Sequence, residues 1–148
     1  MLTTVDTSAV PAVRSFAHWV ADPVAASVPQ VRARVRAVLD DWRVPVEVAE
    51  ALLLAVSELV GNVVRHVGVG AGRMRVALAA GGGWLRLEVA DRGAGLPRLP
   101  APRAEADPES EDGRGLLMVQ LLTAELGGEL SVVVHEFGKA IRVRVPAS

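Results

Sequence analysis

A chain of 148 residues, 51% of them hydrophobic, has the size and apolar content of one domain, able to bury roughly 70% of its unfolded-chain surface without staples. It has no cysteine, which excludes disulfides, zinc thiolate sites and cysteine nucleophiles. The net charge of −1, from 16 basic and 17 acidic residues, gives no global field for nucleic-acid binding and leaves only a local basic patch open. The first residues lack the basic start and apolar core of a secretory signal, and no apolar run approaches membrane-spanning length, so a soluble cytoplasmic protein is expected. Every basic residue except Lys139 is Arg, a bias that speaks of the source rather than of function.

In chain order, residues 1–7 read as a flexible tail and 13–20 as an edge strand closely bracketed by Pro11 and Pro23. From Pro29 onward, Val31, Val35, Val38, Leu39 and Trp42 recur at helical spacing, while Arg32, Arg34, Arg36, Asp40 and Asp41 fall largely on other faces. That pattern predicts an amphipathic helix. Pro45 suits the first turn of a second helix, which runs to about His66 and stops where Gly68, Gly70 and Gly72 make continuation expensive. Its apolar coverage is broad, so it should be well buried, and inside it Glu58 and Asn62 sit four apart on one face. A carboxylate and an amide desolvated there lose free energy unless something compensates them, and a hydrated metal or a polar ligand is one such compensation.

Two strand-like runs follow, 73–80 and 84–90, joined by Gly81-Gly82-Gly83 and showing the alternation of Leu85, Leu87 and Val89 against Arg86 and Glu88, which reads as a hairpin. Residues 96–112 contain Pro97, Pro100, Pro102 and Pro108 with few large apolar side chains, a long loop of the kind that is either functional or disordered. Residues 116–126 are apolar enough for a third helix. Residues 129–135 and 140–145 make a closing hairpin around Glu136-Phe137-Gly138-Lys139. There is neither an internal repeat nor a second domain.

Two glycine-containing segments carry possible chemistry. Asp91-Arg92-Gly93-Ala94-Gly95 directly follows a strand, placing a carboxylate at the strand end and glycines in the turn beyond it. Glycines let backbone approach a planar ligand, and the Asp accepts a hydrogen bond from an amino group, yet an Asp-x-Gly turn also forms with no ligand at all. Gly113-Arg114-Gly115-Leu116 lies between the long loop and a helix, where backbone N–H groups cradle phosphates or merely give flexible entry into the helix. It matches neither the Walker spacing nor the dinucleotide-binding fingerprint. Arg114 is either a phosphate partner or an exposed helix-start Arg. His66 is either a ligand or a cation suited to the helix C-terminus. Trp19, Trp42 and Trp84 read as core or interface anchors rather than a stacking platform for bases.

The three elements occur in one order: Glu58-x-x-x-Asn62 with His66 beyond, then Asp91-x-Gly93-x-Gly95, then Gly113-x-Gly115. In this arrangement nearly the whole chain resembles the ATP-binding domains of the gyrase, heat-shock chaperone, histidine kinase and mismatch-repair (GHKL) superfamily. Its short length, Ser57-Glu58-Leu59-Val60-Gly61-Asn62-Val63-Val64-Arg65-His66 and Gly113-Arg114-Gly115-Leu116 look most like the stand-alone anti-sigma-factor serine kinases of Gram-positive bacteria. The resemblance implies a Bergerat ATP-binding fold, a two-layer α/β (α+β) sandwich with a mixed, mainly antiparallel sheet and three helices on one face. It implies ATP and Mg²⁺ as cofactors, with Asn62 the metal ligand and Glu58 the general base. It gives Asp91 the adenine amino group, Gly93 and Gly95 the adenine-side turn, and Gly113, Arg114, Gly115 and Leu116 the phosphates. It makes 96–112 the ATP lid, here carrying Glu105, Asp107, Glu109, Glu111 and Asp112, whose charges are expected to face solvent or a basic partner. Many relatives place a Thr in the penultimate-strand turn, and Gly138-Lys139-Ala140 is expected to put Ala140 where that hydroxyl would stand, which weakens nucleotide affinity or relaxes base selectivity.

Four functions stay open on this reading. The first is a protein serine kinase that phosphorylates an antagonist protein and sequesters a sigma factor, working as a homodimer through its N-terminal strand and first helix, with no direct contact to nucleic acid or membrane. The second is a catalytically silent module that binds partners in response to ATP, and the third a detached catalytic domain acting on a histidine of another chain. The last is a plain α/β domain with no nucleotide site.

Overall fold

In the computed structural model, residues 13–67, 70, 72–92, 111–135 and 138–147 are described. The expected tail 1–7, Gly93, Gly95 and the lid up to residue 110 lie outside them. The chain runs through β1 (Ser15–Ala21), α1 (Ser27–Asp41), α2 (Val46–His66), β2 (Met74–Gly81), β3 (Trp84–Asp91), α3 (Glu111–Glu125), β4 (Glu129–His135) and β5 (Gly138–Pro146). The five strands form one sheet in the order β1-β2-β3-β5-β4, and every neighbouring pair is antiparallel. The expected mixed sheet is therefore antiparallel throughout, because β4 is inserted at the edge and the chain returns as β5 to pair with β3.

Side-chain alternation decides which face is covered. Met74, Val76 and Leu78 of β2, Leu85, Leu87 and Val89 of β3, and Ile141, Val143 and Val145 of β5 all point into one core. All three helices pack on that face, contributing Val31, Val35 and Leu39 from α1, Leu52, Val56 and Leu59 from α2, and Leu116 and Val119 from α3. The opposite face carries Phe16, His18, Arg75, Arg86, Glu88, Arg142 and Arg144. There Glu88 and Arg142 pair directly across the strands at 2.8 Å, and the guanidinium groups of Arg86 and Arg144 flank the Trp84 ring.

Helix α1 begins at Ser27, two residues before the expected Pro29, because Pro is tolerated in a first turn where its missing N–H has no intrahelical acceptor. Its C-terminus closes with Arg43 N–H on Asp40 O and Val44 N–H on Leu39 O, both 3.0 Å, the bonding pattern of a Schellman cap. The left-handed residue in that cap is Arg43, with φ 54°, where glycine is the unstrained choice. Arg32 of α1 ties the two helices together, donating to Leu53 O at 2.9 Å and to Ser57 Oγ at 2.8 Å. Helix α2 places Glu47 in its first turn and Arg65 and His66 in its last, matching the helix dipole at both ends.

The β2–β3 hairpin turns on Gly82 and Gly83 alone, both with positive φ (56° and 85°), the conformation a tight two-residue connection requires. Helix α3 starts at Glu111 rather than near Leu116, so Gly113 and Gly115 lie within its first turns and the last two residues of the expected lid are helical. Trp19 and Trp42 pack against the core as anchors. Among the described residues, no helix is long and apolar enough to cross a membrane.

Two stability measurements test this description. Arg43→Gly removes the left-handed strain and should raise the thermal midpoint by about 2–4 °C, equivalent to about 1 kcal/mol; an unchanged or lower midpoint would contradict the cap. A Cβ at Gly138 would collide with the backbone oxygen of Asp91, whereas one at Gly83 meets open space. Gly138→Ala should therefore cost about 1–3 kcal/mol from overpacking and Gly83→Ala only about 1 kcal/mol from backbone strain, and the reverse order in chemical denaturation would show the close approach to be wrong.

Candidate functional site

The second half of α2 is where polar groups enter the apolar interior. Its helical spacing puts Glu58, Asn62 and Arg65 on adjacent turns of one side, with Asn62 only 9% exposed. Arg65 folds back along the helix and donates from Nη2 to Asn62 Oδ1 at 2.5 Å. Gly61 leaves room for this path: a Cβ there would stand 3.1 Å from Arg65 Nη1, and the guanidinium would have to shift slightly to admit it. The amide of Asn62 is thus oriented by a cation of its own helix, its carbonyl oxygen facing positive charge.

Glu58 meets the start of α3. A Cβ at Gly115 would overlap Glu58 Oε2, so this carboxylate lies directly against the backbone of the helix's first turns. Leu116, buried in the core, fixes that turn, while Arg114 between the two glycines is exposed. A helix N-terminus carries N–H groups without intrahelical acceptors and a positive dipole end. Glycine at 115 is what permits the contact, for any larger residue would displace Glu58 or the helix.

Asp91 closes β3 and is 8% exposed. Across the ladder it pairs with Lys139, whose Nζ stands 3.4 Å from Asp91 Oδ1 with the lysine side chain 14% exposed. The same register sets Ala140 opposite Ala90, on the other face of the sheet. Ala140, expected where a relative's Thr hydroxyl would stand, is therefore not beside the Asp91 side chain. The side chain beside Asp91 is Lys139, because neighbouring residues of a strand point to opposite faces.

The structure brings Glu58 together with Gly115, and Asp91 together with Lys139 and Gly138. Gly93 and Gly95 fall outside the described residues, and His66 is exposed at the end of α2. Sequence reasoning missed two residues, Arg65 and Lys139. The signal for Lys139 lay in the alternation of β5, where stepping back by twos from Val145, Val143 and Ile141 reaches Lys139. A cleft of about 580 Å³ lined by residues that include Val20, Arg73, Arg75, Ala77, Glu88 and Asp91 opens on the side of the sheet opposite the three described helices, away from Glu58 and Asn62.

Comparison with known proteins adds the family. The histidine kinase-like ATPase domain matches residues 20–145. Curated protein sequences give no match. Among solved structures, the RsbU and RsbW domains of Rv1364c from Mycobacterium tuberculosis superpose with a TM-score of 0.64 at 22% identity, covering 89% of this chain and 32% of that one. The histidine kinase domain from the Erythrobacter litoralis EL346 blue-light activated histidine kinase gives 0.53 at 24% identity, over 82% of this chain and 60% of that one. The Erythrobacter litoralis EL346 blue-light activated histidine kinase also aligns, with a TM-score of 0.52 at 25% identity, over 78% of this chain and 40% of that one. The chain therefore spans a third to three fifths of these structures, and the likeness is one of fold. The family match runs from Val20 in β1 to Val145 in β5 and takes in Glu58, Asn62, Asp91 and Gly115, so the protein is an ATP-binding, kinase-like module that belongs to the histidine kinase-like ATPase family.

Proposed function

We propose that this chain is a protein serine kinase of the anti-sigma-factor type, which transfers the γ-phosphoryl group of ATP to an antagonist protein and binds a sigma factor. The observation that carries the reading is the meeting of Glu58 with the first turns of α3 at Gly115. It sets a carboxylate from one helix against another about one turn beyond the N-terminal N–H groups that favour phosphates, the neighbouring base and anion site that phosphoryl transfer needs.

In this reading Asp91 accepts a hydrogen bond from the adenine amino group, Gly93 and Gly95 are assigned to the base, and Gly113, Arg114, Gly115 and Leu116 meet the phosphates. Glu58 takes the proton of the attacking serine hydroxyl. The serine oxygen bonds to the γ-phosphorus as the bond to the bridging oxygen breaks, and ADP leaves. Asn62 suits Mg²⁺, a hard cation content with one or two protein oxygens plus water and phosphate, and its carbonyl oxygen would exchange the Arg65 guanidinium for the metal. Such a cation supplies charge neutralisation at the phosphates.

The same reading makes the protein a cytoplasmic regulator in one domain and sets a second copy against β1 and α1. Among the described residues β1 is an edge strand with β2 alone beside it, and it exposes Phe16 at 56% and Val20 at 49%.

The test is transfer of γ-labelled phosphate, with Mg²⁺, to antagonist proteins of the same host. Glu58→Gln should slow transfer by about 10²–10⁴-fold while ATP affinity changes only a few-fold, and Gly115→Ala should slow it too by displacing Glu58. Unchanged transfer in Glu58→Gln would remove Glu58 as the base. An acid-labile product would point to a histidine acceptor in another chain instead.

One observation favours a second reading, a silent module that binds nucleotide without catalysis: Arg65 already engages the oxygen a metal would use. Were that contact permanent, the parent would bind ATP without Mg²⁺ and transfer no phosphate, and Arg65→Ala would acquire a Mg²⁺ requirement. Mg²⁺-dependent ATP binding by the parent, measured by calorimetry, would exclude this second reading.

A further inference from the structure

Lys139 is the only lysine of the chain, and it sits in a place where charge is expensive. With its side chain 14% exposed and that of Asp91 8% exposed, the two are held together on the helix-covered face at the ends of β5 and β3. Gly138 packs so closely that a side chain there would strike the Asp91 backbone, which fixes the spacing of the pair. An ammonium group has three N–H donors and no acceptor. Among the described residues Asp91 is the one polar partner of Lys139 Nζ, so the remaining donors are available to whatever lies beside Asp91.

This changes what the end of β3 recognises. A carboxylate alone accepts from the amino group at the purine 6 position, and it rejects a 6-oxo group, because two acceptors would face each other with no proton between them. A carboxylate and an ammonium side by side offer one acceptor and one donor. Adenine satisfies both, its amino group donating to Asp91 and its ring N1 accepting from Lys139. Guanine satisfies both when its ring is turned over in the site, so that the 6-position and N1 exchange partners: its 6-oxo group then accepts from Lys139 and its N1–H donates to Asp91. We propose that Lys139 makes this site accept 6-oxopurine nucleotides alongside 6-aminopurine ones, so that guanosine triphosphate is a ligand as well as adenosine triphosphate. The inference rests on the reading of Asp91 as the residue that meets the purine.

Calorimetry on the intact chain with ATP and GTP tests it, together with mapping of Lys139 modification by an amine-directed reagent in the presence of each nucleotide. The dissociation constants of the parent should lie within about tenfold of each other, and both nucleotides should protect Lys139. Lys139→Thr, which returns a hydroxyl beside Asp91, should weaken GTP relative to ATP by a further factor of about ten or more, the size of a lost charge-assisted hydrogen bond. Lys139→Met, of similar volume, should do the same, and serves where the Thr variant is unstable. A parent that binds ATP and excludes GTP, or variants whose ratio equals the parent's, would overturn the role of Lys139 and leave the nucleotide site standing. A parent that binds neither nucleotide would overturn the nucleotide reading itself, and this inference with it.

Discussion

Everything in this molecule depends on the desolvation of α2. The helix is buried along ten of its positions, from Val48 to Val63, because the sheet lies beneath it while α1 and α3 flank it. At roughly 25 cal/mol per Å² of apolar surface removed from water, a helix so enclosed is among the largest contributors to the core. Enclosure also sets the condition that creates the site. Any polar group on such a helix must find a partner inside the protein or in a ligand, so Glu58 and Asn62 are held in place by the same packing that penalises them. Arg32 shows the rule at work away from the site, satisfying Leu53 O and Ser57 Oγ together where α1 crosses α2.

The long helices and most strands were legible in the sequence because their apolar residues repeat with the period of the element that holds them. Val31, Val35 and Leu39 recur by fours, and Leu85, Leu87 and Val89 by twos, and each set lies in the core. The start of α3 was not legible. Gly113 and Gly115 disfavour a helix locally, and what holds them there is tertiary: Leu116 buried in the core and Glu58 packed on Gly115. The order of the strands was equally hidden, since a sheet that places β5 between β3 and β4 is decided by contacts far apart in sequence.

The site itself was half legible. Glu58, Asn62 and Asp91 stood out as residue types in unusual surroundings, which is a local property. Their partners did not. Whether Lys139 or Ala140 faces Asp91 is a question of parity, and a slip of one residue along β5 exchanges the two faces. Arg65 escaped notice because a basic residue at a helix C-terminus already has a sufficient electrostatic reason to be there.

Those two cations give the site a common design. Asn62 Oδ1 faces Arg65, and Asp91 faces Lys139, so the two buried polar groups nominated by the sequence are each compensated by a basic side chain of the same chain. Such compensation keeps the fold stable with no ligand bound, because neither group is left desolvated and unpartnered. It also means that a ligand enters by exchanging partners rather than by filling a vacancy, and its affinity is the difference between the new contacts and those it displaces. The exchange need not be equal at the two ends. Arg65 is exposed at the end of α2, whereas Lys139 is enclosed and fixed by its strand. The Asn62 end of the pair is therefore the more open to solvent and the Asp91 end the more enclosed, so an exchange of partners costs more desolvation at Asp91.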